Sequence, residues 1–323
     1  MDVKAALVSG LTSDPRRLPV WYRYDNQGSI FDDLYSSENK DYYFYSLETE
    51  VLSNNVQEIV SEIVSPCFFV DLGSGNSEKS RMIIDAILRE QTVLNYIPVD
   101  ISSEFLKDVS NSLSRDYGDC LQVTPVPRDY SEGISYLRSI SDAKLILWLG
   151  GLHSLPYDKQ LDTLSQLAKS MSGQDRLVVS LDMTQDAEIV IKAYLPPTGS
   201  GQNLYSNALW RLNREYGSDV KTDNFRLEGR FKRSEEGCSG IIVKAVSNTN
   251  QHIHIPGLHL SFDLLEGEGI YLHEGEYLSC KYTETQVRAL TEKAGLTLNR
   301  MWTDAGRRVG IFCFTSKLSN ISS

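Results

Sequence analysis

The feature that most constrains this chain is a short apolar run that stops at glycine. Phe68-Phe69-Val70-Asp71-Leu72 ends at Gly73-Ser74-Gly75-Asn76, and an amphipathic segment follows with Met82, Ile83, Ala86 and Ile87 on one side. That order predicts strand, tight loop, helix. Tyr96-Ile97-Pro98-Val99-Asp100 predicts the next strand, ending in an acid, and Phe105 to Leu113 a second helix. Leu145-Ile146-Leu147-Trp148-Leu149 and Arg176 to Asp182 have the composition of buried strands, with a helical pattern at about 157–171 between them. Strands alternating with helices predict a parallel α/β sheet.

Either side of this block the pattern differs. Residues 11–60 are aromatic-rich and patterned as helix, with Trp21-Tyr22-Arg23-Tyr24-Asp25 and Asp41-Tyr42-Tyr43-Phe44-Tyr45. After Tyr194 come a loop at 195–201, a helix at 204–217, strands at 225–230, 240–246 and 252–255, a helix at 283–295 and a strand at 310–314. The expected fold class is α/β: a doubly wound, Rossmann-like sheet at 61–195 with a second, smaller α+β domain. That smaller domain is expected to take the helical part at 1–60 and the substrate-binding α+β part at 196–300, while 301–323 returns a strand to the sheet.

Of the 323 residues 41% are hydrophobic, enough for one large core or two modest ones. A formal net charge of -11 without basic clusters argues against nucleic acid as partner. No apolar run approaches the roughly 20 residues that span a bilayer, and the first residues lack the apolar core of a signal peptide. Cys67, Cys120, Cys238, Cys280 and Cys313 are widely spaced and include no C-x-x-C pair, the pattern of isolated thiols in a reducing compartment. A cytoplasmic small-molecule protein is expected, binding no membrane; the oligomeric state is left open.

In open α/β sheets a ligand sits beyond the carboxyl ends of the strands, where glycine lets the backbone approach it. Asp100, at the end of the next strand, is placed to accept from the ribose hydroxyls of an adenosine-containing ligand; a tight turn plus a strand-ending aspartate is the plainer alternative. The dinucleotide fingerprint G-x-G-x-x-G needs glycine where this chain has Glu78, and the phosphate-loop pattern is absent. A loop without a phosphate cradle, followed by a ribose-binding acid, fits S-adenosylmethionine. Arg128-Asp129-Tyr130 follows the strand at Leu121-Gln122-Val123, where a carboxylate either accepts from the adenine amino group or merely forms a surface turn.

From Leu18 to Phe314 the chain resembles the histidine-specific methyltransferases of the ergothioneine pathway, which form hercynine, and their ergot-alkaloid relatives in secondary metabolism. The resemblance rests on Tyr24-Asp25 with Gly28-Ser29 and Phe31, Asp41-Tyr42-Tyr43 with Glu48, and Leu72-Gly73-Ser74-Gly75-Asn76-Ser77-Glu78-Lys79-Ser80-Arg81. It continues through Pro98-Val99-Asp100, Leu181-Asp182, Ala193-Tyr194, Leu278-Ser279-Cys280-Lys281-Tyr282 and Trp302-Thr303-Asp304. It implies S-adenosylmethionine binding at Gly73, Ser74, Gly75, Lys79, Asp100, Asp129 and Tyr130, and a small-molecule site lined by Tyr24, Tyr42 or Tyr43, Tyr194 and Ser279. Two departures stand out. Where histidine-specific members carry an acid that pairs with the substrate imidazole, this chain has Tyr277. Where they carry an asparagine that holds the substrate carboxylate, it has Leu149-Gly150-Gly151-Leu152-His153.

His153 follows a strand end and either holds a carboxylate, assists proton removal or packs as a core histidine. His252 and His254 alternate on one strand face, a poor metal signal, so no metal is expected. Tyr45 and Trp148 fit ordinary packing. Ser74 and Ser279 lack the surroundings of a covalent nucleophile. The expected reaction is methyl transfer to the amino group of an amino acid or a derived amine, with Tyr24, Tyr194 and His153 orienting it and Tyr42, Tyr43, Tyr277 and Ser279 lining the site. The substrate is expected to be aromatic and not histidine; histidine itself is the first alternative, and an inactive S-adenosylmethionine or amino-acid binder the second.

Overall fold

A computed structural model describes residues 2–196 and 199–317. The strands are β1 (Phe68–Leu72), β2 (Leu94–Val99), β3 (Leu121–Val123), β4 (Lys144–Trp148) and β5 (Arg176–Asp182), then β6 (Phe225–Lys232), β7 (Ser239–Ser247), β8 (Gln251–Ile255) and β9 (Leu260–Leu264), and last β10 (Gly269–Tyr271), β11 (Ser279–Lys281), β12 (Leu296–Thr303) and β13 (Val309–Ser316). The chain forms two compact units. One holds Phe44–Thr184, Glu236–Cys238 and the chain from Lys281; the other holds the chain up to Tyr43, Gln185–Glu235 and Ser239–Cys280.

The first unit is a seven-stranded sheet in the order β12-β13-β5-β4-β1-β2-β3. β1 to β5 run parallel, and β13 and β12 join antiparallel at the β5 edge. The parallel strands are near-continuous apolar runs because helices cover both faces; every residue of β4 is buried. Phe69, Leu145, Leu147, Val178 and Ile311 pack in one core cluster with Ile83, Ile84 and Ile87 of the helix Glu78–Ile87. Val51, Leu52, Ile59 and Val60 of the helix Tyr43–Ser61 join the same cluster. That apolar stripe places the boundary between Tyr43 and Phe44 and not at residue 60. The other boundary also differs from the expected 300. The helix Glu284–Lys293 and β12 belong with the sheet, because β12 pairs along its length with β13.

The second unit is built on β7, which pairs antiparallel with β6 and β10 and also neighbours β11. A β8–β9 hairpin and the helices Val3–Thr12, Asn26–Glu38, Ala187–Tyr194 and Ser200–Tyr216 complete it. The predicted loop at 195–201 is shorter than expected, since the last of these helices begins at Ser200; Pro197 and Thr198 lie outside the described residues. Among the described residues no helix is long and apolar enough to cross a membrane.

A buried ion pair closes the sheet unit near the end of β5. Lys281 Nζ lies 3.0 Å from Asp182 Oδ2, with both side chains fully buried. The Tyr282 N–H donates to Asp182 O at 2.8 Å, and the Tyr282 hydroxyl donates to Gln160 Oε1. Removing one member of such a pair leaves a desolvated charge. Lys281→Met should therefore lower stability by about 3–5 kcal/mol, read as a fall in urea midpoint; a loss under about 1 kcal/mol would mean the pair is effectively solvated.

Candidate active site

The strand order reverses between β1 and β4, and in open α/β sheets that switch point opens a crevice beyond the strand ends. Two glycines make the turn after β1, Gly73 at φ +75 and Gly75 at φ +50. A Cβ on Gly73 would lie 3.1 Å from the Tyr130 hydroxyl, so the loop and that ring are in close approach. Asp100, next after β2, accepts from the Gly75 N–H at 3.1 Å through Oδ2 and from the Ser102 N–H at 2.9 Å through Oδ1. Burial pushes its carboxyl above the ordinary value. Each oxygen retains a lone pair for a further donor. Asp71 has a different task. It is buried in β1, accepts from the Ser80 hydroxyl and from the Tyr96 hydroxyl at 2.9 Å, and so fastens the loop from below.

Asp129 caps the helix Tyr130–Leu137, accepting through Oδ1 from the Ser131 N–H at 3.0 Å, the Glu132 N–H at 3.1 Å and the Ser131 hydroxyl at 2.7 Å. Burial works to raise its carboxyl, but the Ser131 and Glu132 donors outweigh it and hold the group below its usual range. Tyr130, next in sequence, packs its ring 4.8 Å from Trp148. Lys79 is engaged by Glu48, and its ammonium lies 4.6 Å from the centre of the Tyr45 ring. Glu48 also accepts from the Ser180 hydroxyl, which in turn accepts from the Gly150 N–H at 2.8 Å. One buried carboxylate thus links the loops that follow β1 and β4.

Three buried polar atoms have no partner among the described residues at these two loops: Ser74 Oγ, Trp148 Nε1 and His153 Nδ1. A buried donor or acceptor left unpaired costs about 1–3 kcal/mol, so three at one crevice mark a place for a polar ligand. Gly151 is required here, since a Cβ would lie 2.4 Å from Trp148 Nε1 and 2.8 Å from the Tyr130 hydroxyl. His153 stands edge-on to Phe44 at 4.6 Å. Burial, then the charges of Lys281 and Lys79, push its imidazole well below the ordinary value. It is neutral at pH 7 and cannot hold a carboxylate by charge. Trp148 fits packing from its sequence, yet as the last residue of β4 it leaves a buried, unpaired N–H beside Gly151.

The tyrosines lie in the other unit. Asp25 caps the helix Asn26–Glu38, accepting from the Gly28 N–H at 2.8 Å, and is tied to the helix Ser200–Tyr216 by Asn207 at 2.8 Å and Arg214 at 2.6 Å. This turn fixes Arg23 and Tyr24. The buried Arg23 donates through Nη2 to the Tyr24 hydroxyl at 3.1 Å, and its guanidinium lies 5.0 Å from the Tyr24 ring centre and 5.1 Å from that of Tyr205. Tyr205 meets Tyr35 edge-on at 6.5 Å, Tyr35 lies 4.6 Å from Tyr42, and Tyr42 meets Tyr194 edge-on at 5.6 Å. The Tyr194 hydroxyl is 3.1 Å from Ser279 Oγ. Burial pushes Tyr24 up to about 12, against the pull of Arg23, and raises Tyr42 well above its ordinary value. These hydroxyls therefore stay protonated. Tyr43 is buried, and Tyr277 is buried with its ring over Gly240, whose Cβ would lie 2.3 Å from it. Arg23, Tyr35 and Tyr205 carry no site expectation, because Arg23 looks like a solvated side chain and the two tyrosines fall on the buried sides of their helices.

The sequence profile of the histidine-specific, S-adenosylmethionine-dependent methyltransferases matches residues 3–316. The chain belongs to this family. Histidine N-alpha-methyltransferases of Mycolicibacterium smegmatis and Mycobacterium tuberculosis are each 28% identical over 96% of this chain, covering 92% and 94% of their own lengths. The N-methyltransferase imqF of Aspergillus flavus is 23% identical over 96% of this chain and 85% of its own. This family member is an N-methyltransferase with S-adenosylmethionine as its cofactor. The crevice chemistry fits that cofactor: glycine turns, a carboxylate with spare acceptor capacity, and unpaired polar atoms.

Two outcomes are expected of the methyltransferase. Asp100→Ala should weaken S-adenosylmethionine binding by about 1–3 kcal/mol in calorimetry while leaving the melting temperature nearly unchanged; unaltered affinity would remove Asp100 from the cofactor site. Asp71, by contrast, should control acid stability, since burial pushes its carboxyl up to about 6. Between about pH 4 and 6 the folded chain keeps a proton that the unfolded chain has released. Stability should thus fall as pH rises through that window, by on the order of 3 kcal/mol. In Asp71→Asn this part of the urea-midpoint profile should flatten, and an unchanged slope would place the titration elsewhere.

Proposed function

We propose that this enzyme methylates the amino group of an amino acid or amino-acid-derived small molecule whose side chain is aromatic and not imidazole. The reading is carried by the side chains of the second unit. Tyr24, Tyr35, Tyr42, Tyr194 and Tyr205 form a continuous aromatic set, and Tyr277 occupies the position where an imidazole-pairing acid is expected. An imidazole buried without good partners loses about 1–3 kcal/mol, whereas aromatic faces favour another ring. Methylated ammonium groups also gain from tyrosine faces.

When bound, S-adenosylmethionine supplies an activated methyl group on a sulfonium. Gly73, Ser74, Gly75, Asp100, Asp129 and Tyr130 are the residues that would hold it, with Lys79 fastening the loop through Glu48. The amine must arrive neutral and aligned. The Tyr24 oxygen accepts from Arg23, and its second lone pair can take an N–H of the amine, turning the nitrogen lone pair outward. Tyr194, held by Ser279, acts in the same way. His153, neutral and buried, offers a hydrogen bond and no stored proton, so the ammonium proton leaves to solvent before transfer.

A second reading, histidine as substrate, is favoured by the two mycobacterial relatives, both histidine N-alpha-methyltransferases. The deciding measurement is competition at equal concentration between histidine, tryptophan, tyrosine and phenylalanine, with methylated products counted by mass spectrometry. An aromatic amino acid should be methylated at least about tenfold faster than histidine, a gap of roughly 1.4 kcal/mol. Histidine winning by that margin would establish the second reading.

A further inference from the structure

Arg23 is buried, with only 7% of its surface exposed, yet its Nε and Nη1 have no partner among the described residues. Among the described residues the guanidinium's one hydrogen bond goes from Nη2 to the Tyr24 hydroxyl, and its Cζ lies 5.0 Å and 5.1 Å from the ring centres of Tyr24 and Tyr205. Asp32 and Glu274 act on it through space, but among the described residues no carboxylate lies within ion-pair distance of it. A buried guanidinium that keeps donors unpaired is a cation waiting for an anion, because its charge cannot be shed as a lysine's can. We propose that Arg23 is the anchor for the substrate's carboxylate, and hence that the enzyme selects amino acids over the corresponding amines.

The neighbouring groups support this assignment. His273 Nε2 is likewise buried and unpaired, and the charge of Arg23 acts on that ring. His273 Nδ1 lies 2.9 Å from Gly275 O, an acceptor only, so Nδ1 carries the proton and Nε2 is itself an acceptor. Burial pulls the imidazole down to about 4, which leaves it neutral at pH 7 and unable to bind an anion. The cationic donors available to a carboxylate are therefore those of Arg23. The guanidinium adds a second benefit to transfer. A fixed cation favours the form of an amino acid that carries a carboxylate and a neutral amine over the zwitterion, and only the neutral amine has a lone pair to give. Tyr24 connects the two roles, since one hydroxyl contacts both the anchor and, in the reading above, the amine.

The inference rests on the proposed amino-group methylation, but its test does not require the substrate to be aromatic. Histidine, tryptophan, tyrosine and phenylalanine are assayed beside their amides and their decarboxylated amines, with wild type, Arg23→Gln and Arg23→Lys. The best free acid serves as probe, whichever it is, so a win for histidine removes the aromatic reading and leaves the anchor under test. Wild type should prefer the acid to its amide by at least about tenfold, and Arg23→Gln should raise KM for the acid by about 10–100-fold with the amide changed less than about threefold. Arg23→Lys, which keeps the charge, should recover part of the preference. Thermal unfolding of each variant, followed by near-UV circular dichroism of the tyrosines, reports whether the unit that carries Arg23 has folded, and S-adenosylmethionine affinity reports the sheet unit. Equal losses on acid and amide would show that Arg23 only supports the fold, and would overturn the anchor. A wild-type enzyme that favours amides or decarboxylated amines overturns it without any variant.

Discussion

The site depends on one buried carboxylate. Glu48 has no exposed surface, and it holds Lys79 of the helix after β1 on one side and the Ser180 hydroxyl of β5 on the other. Through Ser180 it reaches the backbone of Gly150, in the loop after β4. A carboxylate in such surroundings is tolerable only because charge and hydrogen bonds answer it from both sides. What it secures is the spacing of the two loops that flank the switch point, and with it the positions of Ser74, Trp148 and His153. The helix Tyr43–Ser61 contributes this acid and a stripe of apolar residues to the same unit, so its role is to brace the crevice as well as to fill the core.

Burial sets the chemical character of the remaining groups. Tyr24 and Tyr42 keep their protons, His153 and His273 are neutral, and Arg23 keeps its charge. Such a collection cannot supply a strong base. It can orient an uncharged nitrogen and exclude water, which suits a donor that is already activated. The polar groups of both units are positioned by hydrogen bonds that leave some capacity unused: Asp100 and Asp129 retain acceptor sites and Arg23 retains donors.

The parallel sheet was legible because strands covered on both faces must be apolar throughout. Phe68–Leu72, Leu145–Trp148 and Leu177–Leu181 have no polar alternation to confuse with an edge. Asp100 was legible for the converse reason, an acid abruptly ending such a run. β12 was not: Leu296–Thr303 is an edge strand whose exposed face carries Asn299 and Arg300, and it resembles a loop. Long-range pairing was hidden as well. Nothing local in Glu48 or Lys79 says that they meet, nor does Asp182 announce Lys281. Lys79, expected on the cofactor through the family resemblance, is engaged by an acid that only the folded chain brings near. Arg23 shows the limit most sharply, since an arginine between tyrosines looks like a solvated side chain until the fold covers it.

Gly28 has no side chain to offer a ligand, yet its missing methyl matters. A Cβ there would lie 1.8 Å from the carbonyl oxygen of Arg23 and 2.9 Å from Asn207 Nδ2. The backbone of one cannot accept a side chain without the other moving. In a survey of natural variants, an alanine at this position would look like the mildest of changes and sit outside any list of contact residues. It would nevertheless displace the backbone that carries Arg23 and Tyr24 together. Harm of this sort is inherited through the main chain, and screening by distance to the ligand would score it as silent.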